Sequence, residues 1–361
     1  MPAAPLPPAL STWIDLLRLG AAGVVFLGHA GTQRISGGLF YQAGPYGETA
    51  VDVFFVLSGF VIAHAATRQG AAAYAIARAA RIWSVMLPCL ALGWLMDATG
   101  PLMDPATYAR APHFSGPADA LSLASSALFL DHVWFRAAQP GSNLPFWSLA
   151  FEAWYYLAFG LLAFARPPWN WLGAAAAMAL AGPKIALLFP LWLLGVVTQR
   201  LCARGRMSAA AAYPLLLAPL VLLLSDPQSR ACFPYTAFTG EAECLRDLGQ
   251  DYGVGLLVAA HLLGVHALSP RLWPWLRPAA PAIAWLAGAS FTLYLLQYPL
   301  IHFIAAAAPW PEAHWANRVM VFTLPPLVAL AVAEATERRR HAWRRAIAAL
   351  AGQRRQPAKA P

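Results

Sequence analysis

Apolar runs about as long as a bilayer is thick recur from one end of this chain to the other, starting with WIDLLRLGAAGVVFLGHAGTQ. A run of about 20 such residues reads as a helix that crosses a membrane, because hydrocarbon forces the backbone to bond within its own segment. Of 361 residues, 59% are hydrophobic and only 11% charged, which excludes an ordinary soluble domain. The formal charge of +9 is concentrated in short loops and at the C-terminus, so it reports topology rather than nucleic-acid binding. The expected fold class is therefore all-α, a polytopic transmembrane helix bundle.

Basic residues set the sidedness. Crossings are expected at about 13–33, 49–66, 83–99, 146–165, 170–183, 185–201, 209–224, 250–268, 282–305 and 318–335. The stretch TRQGAAAYAIARAARIW, with Arg68, Arg78 and Arg81, then falls on the cytoplasmic side, as do the loops around Arg204 and Arg206 and around Arg271 and Arg277. The acidic loop with Glu241, Glu243 and Asp247 falls outside. About ten crossings put both termini in the cytoplasm; the alternative is eleven, with residues 119–134 crossing as well. That stretch, ADALSLASSALFLDHV, is only moderately apolar and would put later basic loops on the wrong side, so it reads as re-entrant or surface-lying.

Residues 1–340 form a single transmembrane domain, and 341–361 a basic cytoplasmic tail lying near anionic lipid. The N-terminal MPAAPLPPALSTW lacks the basic region of a cleavable signal, and the first apolar segment is long enough to anchor. Cys232 and Cys244 share one polar loop and are either a disulfide or free thiols; no spacing suggests a metal site.

Within the apolar runs, a few polar residues stand out. Arg18 and His29 are eleven positions apart, which returns to within about 20° on a helix, so both share one face at depths roughly 16 Å apart. Asp15 lies near the same stripe. Intramembrane charges usually face a polar cavity that performs chemistry or transport. Asp52 serves either structural pairing or function, Glu48 reads as an exposed helix-start carboxylate, and Ser58 with Gly59 reads as a close-packing position. Arg78 and Arg81 share a helical face, either as plain anchors or as a grip on a phosphorylated ligand. Glu152, one turn after Ser148 inside an aromatic belt, needs a partner, and His29 or Arg18 is the natural one. His302 reads as an interfacial or core residue.

These segments together resemble the acyltransferase-3 family of integral-membrane acyltransferases. Arg18 and His29 match its Arg-ten-residues-His signature, and AVDVFFVLSGFVI matches its second-helix string with Asp52 in place. Arg78, Arg81 and Ile82 match part of its basic stretch, with Ser84 where a proline is usual. WSLAFEAWYY aligns with its Trp-Ser-Leu block through Glu152, with Ala153 replacing a second carboxylate, and SFTLYLLQYPL carries Gln297 where a histidine is usual.

The resemblance implies transfer of an acyl group, commonly acetyl from acetyl-CoA, to a hydroxyl of a saccharide or other envelope acceptor, in a bacterial inner (plasma) membrane, with no metal and no nucleic acid. His29 would be the base or a transient acyl carrier, with Glu152 or Asp52 supporting its imidazole. Arg18 would hold the coenzyme's phosphates or polarise the thioester carbonyl, and Arg78 and Arg81 would grip the acyl-CoA from inside. The rival class is a transporter or flippase for a lipid-linked saccharide, which would also need intramembrane charges beside a cavity.

Overall fold

A computed structural model describes residues 5–111, 114–205, 207–225 and 242–352. Every regular element among them is helical. The bundle consists of α1 (Pro8–Ala30), α2 (Gly47–Ala66), α3 (Ala71–Met103), α4 (Trp147–Phe164), α5 (Trp169–Ala181), α6 (Pro183–Arg204), α7 (Ala209–Ser225), α8 (Ala242–Leu276), α9 (Ala280–Ala287), α10 (Ser290–Ala307) and α11 (Trp315–Ala335). A last helix, α12 (Arg340–Leu350), follows the bundle and packs on α3.

Among the described residues, eight helical stretches are long and apolar enough to cross a membrane, which makes this a multi-pass membrane protein. Nine of the ten expected crossings each fall on one helix, while that at 282–305 is broken at 288–289 between α9 and α10; α5, with 13 residues, is shorter than a full span. Helix α3 is longer than the expected 83–99: its 33 residues rise about 50 Å, so the basic stretch with Arg78 and Arg81 is a continuation of the crossing helix.

Residues 119–134 contain only the helix Ala120–Ala127, whose eight residues rise about 12 Å, too short to cross. The irregular backbone beyond it is tied to the bundle, with Asp131 and His132 buried and Trp134 and Phe135 exposed. There the Trp83 indole donates to the Ala127 carbonyl and the Trp154 indole to the Phe129 carbonyl, each at 3.2 Å. Such capping is what allows non-helical backbone beside membrane helices.

The contact between α2 and α6 is the closest in the core. A Cβ on Gly59 would lie 2.0 Å from the Trp192 carbonyl oxygen, and one on Gly195 would lie 2.0 Å from that of Val56, so only glycine lets these backbones touch. Phe55, Phe151, Tyr155 and Trp192 fill the space around that contact with edge and stacked ring pairs.

Cys89 and Cys202 are free and buried. Cys232 and Glu241 lie outside the described residues, and with them the pairing considered for Cys232 and Cys244. Asp247, expected in an external loop, sits fully buried on α8.

Candidate active site

A cavity of about 370 Å³ opens among α1, α2, α3, α4, α10 and α12, within the usual size of small-molecule sites. The sequence folds so as to aim one stripe from each helix into it. Ser148, Glu152 and Tyr156, spaced four apart on α4, share a face, as do Arg78 and Arg81, spaced three apart on α3. The register of α4 is fixed by the turn before it. Buried Asp97 of α3 accepts from the Ser142 amide at 2.8 Å and its hydroxyl at 2.7 Å, while Asn143 Nδ2 donates to the Leu295 carbonyl of α10 at 2.9 Å.

Among the described residues, five arginines line the cavity, Arg18, Arg78, Arg81, Arg340 and Arg344, against one carboxylate, Glu152. Glu152 Oε1 accepts from Ser58 Oγ and from the Tyr156 hydroxyl, both at 2.5 Å. The Arg78 guanidinium lies 5.7 Å from the Tyr156 ring centre and 5.9 Å from that of Tyr74, and Arg81 lies 5.6 Å from that of Phe291. Arg18 is 3.8 Å from Asp15 and 4.0 Å from Glu337, which also accepts from the Thr292 amide at 3.2 Å. Two donors of the lining, Arg78 Nε and Gln69 Nε2, are buried with no hydrogen-bond partner among the described residues. A hollow rich in guanidinium groups with donors to spare fits an anionic ligand.

The cavity does not reach His29. Its inner end is formed by Phe54, Ser148 and Tyr294, where the two rings meet edge-on at 5.4 Å and the Tyr294 hydroxyl bonds Ser148 Oγ at 3.0 Å. His29 stands beyond this contact, near the far end of α1, its ring 4.8 Å from that of Tyr298. Gln297 and His302 are its polar neighbours. His29 Nδ1, both amide atoms of Gln297 and His302 Nε2 are buried and make no hydrogen bond of ordinary geometry among the described residues. An imidazole with an open ring nitrogen can accept a proton.

Of the residues singled out from sequence, Arg18, Arg78, Arg81 and Glu152 come together around the cavity, whereas His29 and Asp52 are not in its lining. Of the two partners expected for Glu152, Arg18 shares its cavity and His29 does not, and its hydrogen bonds go to Ser58 and Tyr156, because the stripe of α4 that carries Glu152 faces the arginines. Asp52 is fully buried on α2. Ser58, assigned to packing with Gly59, turns its hydroxyl to Glu152 while Gly59 makes the helix contact.

Sequence reasoning missed Glu337, Arg340, His341 and Arg344, all read as parts of a solvated end. Glu337 is 6% exposed, and the other three line the cavity. The amphipathic spacing of RHAWRRAIAAL, basic at 340, 341, 344 and 345 with Trp343, Ile347 and Leu350 at helical spacing on another face, was the available signal.

The family model described as the Acyltransferase domain, acyltransferase-3, matches residues 11–333 of the chain. No curated protein and no solved structure matches it.

Proposed function

Since this chain belongs to the acyltransferase-3 family of membrane acyltransferases, we propose that it moves an acyl group, acetyl being the commonest in that family, from cytoplasmic acyl-CoA to a hydroxyl of an extracytoplasmic saccharide or similar envelope acceptor in a bacterial inner membrane. The observation that carries the donor side is the arginine-lined cavity with its two unpartnered donors, Arg78 Nε and Gln69 Nε2. Phosphate groups accept from several guanidinium N–H groups at once, and a cavity this basic concentrates them.

Arg18, Arg78 and Arg81 hold the donor from the cytoplasmic side. Arg18 is about 16 Å along the helix from His29, too far to polarise a thioester carbonyl that reacts there, so its part is donor binding. The thioester arm passes the Phe54 and Tyr294 rings, and Tyr294 stands one helical turn of α10 from Gln297 and Tyr298. Beyond them His29 Nδ1 takes the proton of the acceptor hydroxyl as its oxygen attacks the thioester carbonyl. The tetrahedral adduct then expels the coenzyme thiolate, which recovers that proton from the imidazolium. Gln297 and His302, the polar neighbours of His29, hold the acceptor.

The test is transfer of labelled acyl groups from acyl-CoA to an envelope glycan fraction by the purified protein. His29→Gln should lower the rate by about 10²–10⁴, the usual worth of a general base, while the protein still inserts and accumulates. Transfer at the unmodified rate removes His29 from the reaction.

A further inference from the structure

Helix α12 is too polar to be another crossing, and it lies where it has a use. It starts at Arg340, directly after the corner in which Glu337 is buried against Arg18 and Thr292, and it packs along α3, the helix of Arg78 and Arg81. That anchorage fixes its first turn and a half over the mouth of the cavity, so Arg340, His341 and Arg344 complete the lining. Arg340 and Arg344 are four apart, on one helical face.

Size then separates two parts of the site. The cavity's 370 Å³ suits the slender thioester arm of a donor but not a whole nucleotide-bearing coenzyme, whose phosphates must remain at the mouth. Arg340 and Arg344 are the exposed cations there, whereas Arg78 and Arg81 lie deeper and are partly covered by aromatic rings. We infer that α12 is the phosphate-recognition element of this protein, with Arg340 and Arg344 binding the phosphate groups on the nucleotide end of the thioester donor. This rests on the acyl-CoA reading above. It assigns to the C-terminal helix the discrimination between a phosphorylated donor and the same thioester without phosphates.

The experiment compares acyl-CoA with S-acyl-pantetheine, which keeps the thioester arm and has no phosphate, using the full-length protein in neutral detergent. The readout is the ratio of their kcat/KM values. In the double variant Arg340→Gln, Arg344→Gln this ratio should fall about tenfold, the scale of one ordinary ionic contact per arginine at a half-exposed site. Most of the change should lie in the KM for acyl-CoA, and Arg340→Lys, Arg344→Lys should restore much of it. A general folding defect lowers both donors together and leaves the ratio unchanged, so an unchanged ratio overturns the inference.

A lipid headgroup offers the same phosphate chemistry. A loss that appears only in anionic-lipid nanodiscs, and not in neutral detergent, would assign α12 to the bilayer surface and also overturn the inference. Should the double variant fail to accumulate, the unmodified protein carries the test. Adenosine 3′,5′-bisphosphate should then inhibit transfer competitively with acyl-CoA, and, with both arginines kept, should protect a His341→Cys thiol in the same lining from a charged maleimide; protection no better than that given by adenosine sinks the proposal. Absence of thioester turnover by the unmodified protein would instead refute the acyl-CoA reading itself.

Discussion

Glu337 joins the last part of the chain to the first, and its removal should be felt in both stability and donor use. The carboxylate is 6% exposed, 4.0 Å from Arg18, and accepts from the Thr292 amide at 3.2 Å and its hydroxyl at 3.4 Å. Breaking a buried pair by deleting one partner costs about 3–5 kcal/mol. Arg18 keeps Asp15 at 3.8 Å and is 20% exposed, which argues for the lower end, while the orphaned Thr292 amide adds about 1 kcal/mol. Glu337→Ala should therefore destabilise by about 3–4 kcal/mol. Glu337→Gln, which still accepts from Thr292, should cost about half of that.

The protein carries its own reporters for this. Cys89 and Cys202 are free and buried, so a thiol-reactive fluorogenic dye reads unfolding directly. At about 2 °C per kcal/mol for a chain of this size, Glu337→Ala should melt ~6 °C early. Because α12 follows that corner, the KM for acyl-CoA should rise in parallel. A Glu337→Ala protein that melts within 1 °C of the unmodified one would show that the corner is solvated and the buried-pair reasoning mistaken.

Other expectations follow from packing and burial. Gly195→Ala drives a Cβ into the Val56 carbonyl and should destabilise by roughly 3 kcal/mol or more, whereas Gly23→Ala, with nothing within 4 Å of the new Cβ, should be neutral or stabilise by up to ~1 kcal/mol; the same dye assay ranks them. Burial pushes the Asp131 carboxyl up to about 7 and the neighbouring His132 down to about 3. The folded state thus holds the Asp131 proton more tightly, so that contribution to stability is lost as pH rises from about 4 to 7, while the His132 contribution is lost as pH falls from about 6.5 to 3. The two oppose each other. Asp131→Asn should make stability increase with pH across 4–6.5, and His132→Gln should make it decrease, both read from melting temperatures; parallel profiles for the two variants would refute the assignment.

Much of the bundle was legible because membrane helices declare themselves by length and apolarity, and the i, i+4 spacing of Ser148 and Glu152 already put them on one face. What Glu152 faces was not legible. Its partners Ser58 and Tyr156 are hydroxyls, and nothing in their local sequence distinguishes them from packing or belt residues. The ERRRHAWRR stretch misled for a related reason. Its composition is that of a solvated end, and only contacts with Arg18 and Thr292, far away in sequence, bury Glu337 and draw α12 over the cavity. The limited length of α5 was likewise hidden, since an apolar run of 13 residues looks the same in a lipid-facing half helix as in part of a crossing.

The edge-on contact of Phe54 with Tyr294 has a bioenergetic side. Moving one elementary charge through a potential of 100 mV releases about 2.3 kcal/mol, so any continuous aqueous thread between opposite faces of an energised membrane would drain the proton gradient. The two rings meet edge-on at 5.4 Å with the Tyr294 hydroxyl tied to Ser148, so ring carbon and not an open file of water lies at that contact. In the acyl-CoA reading proposed above, a thioester arm threading between them would put its own methylenes in that place, and the cell's voltage would survive each turnover.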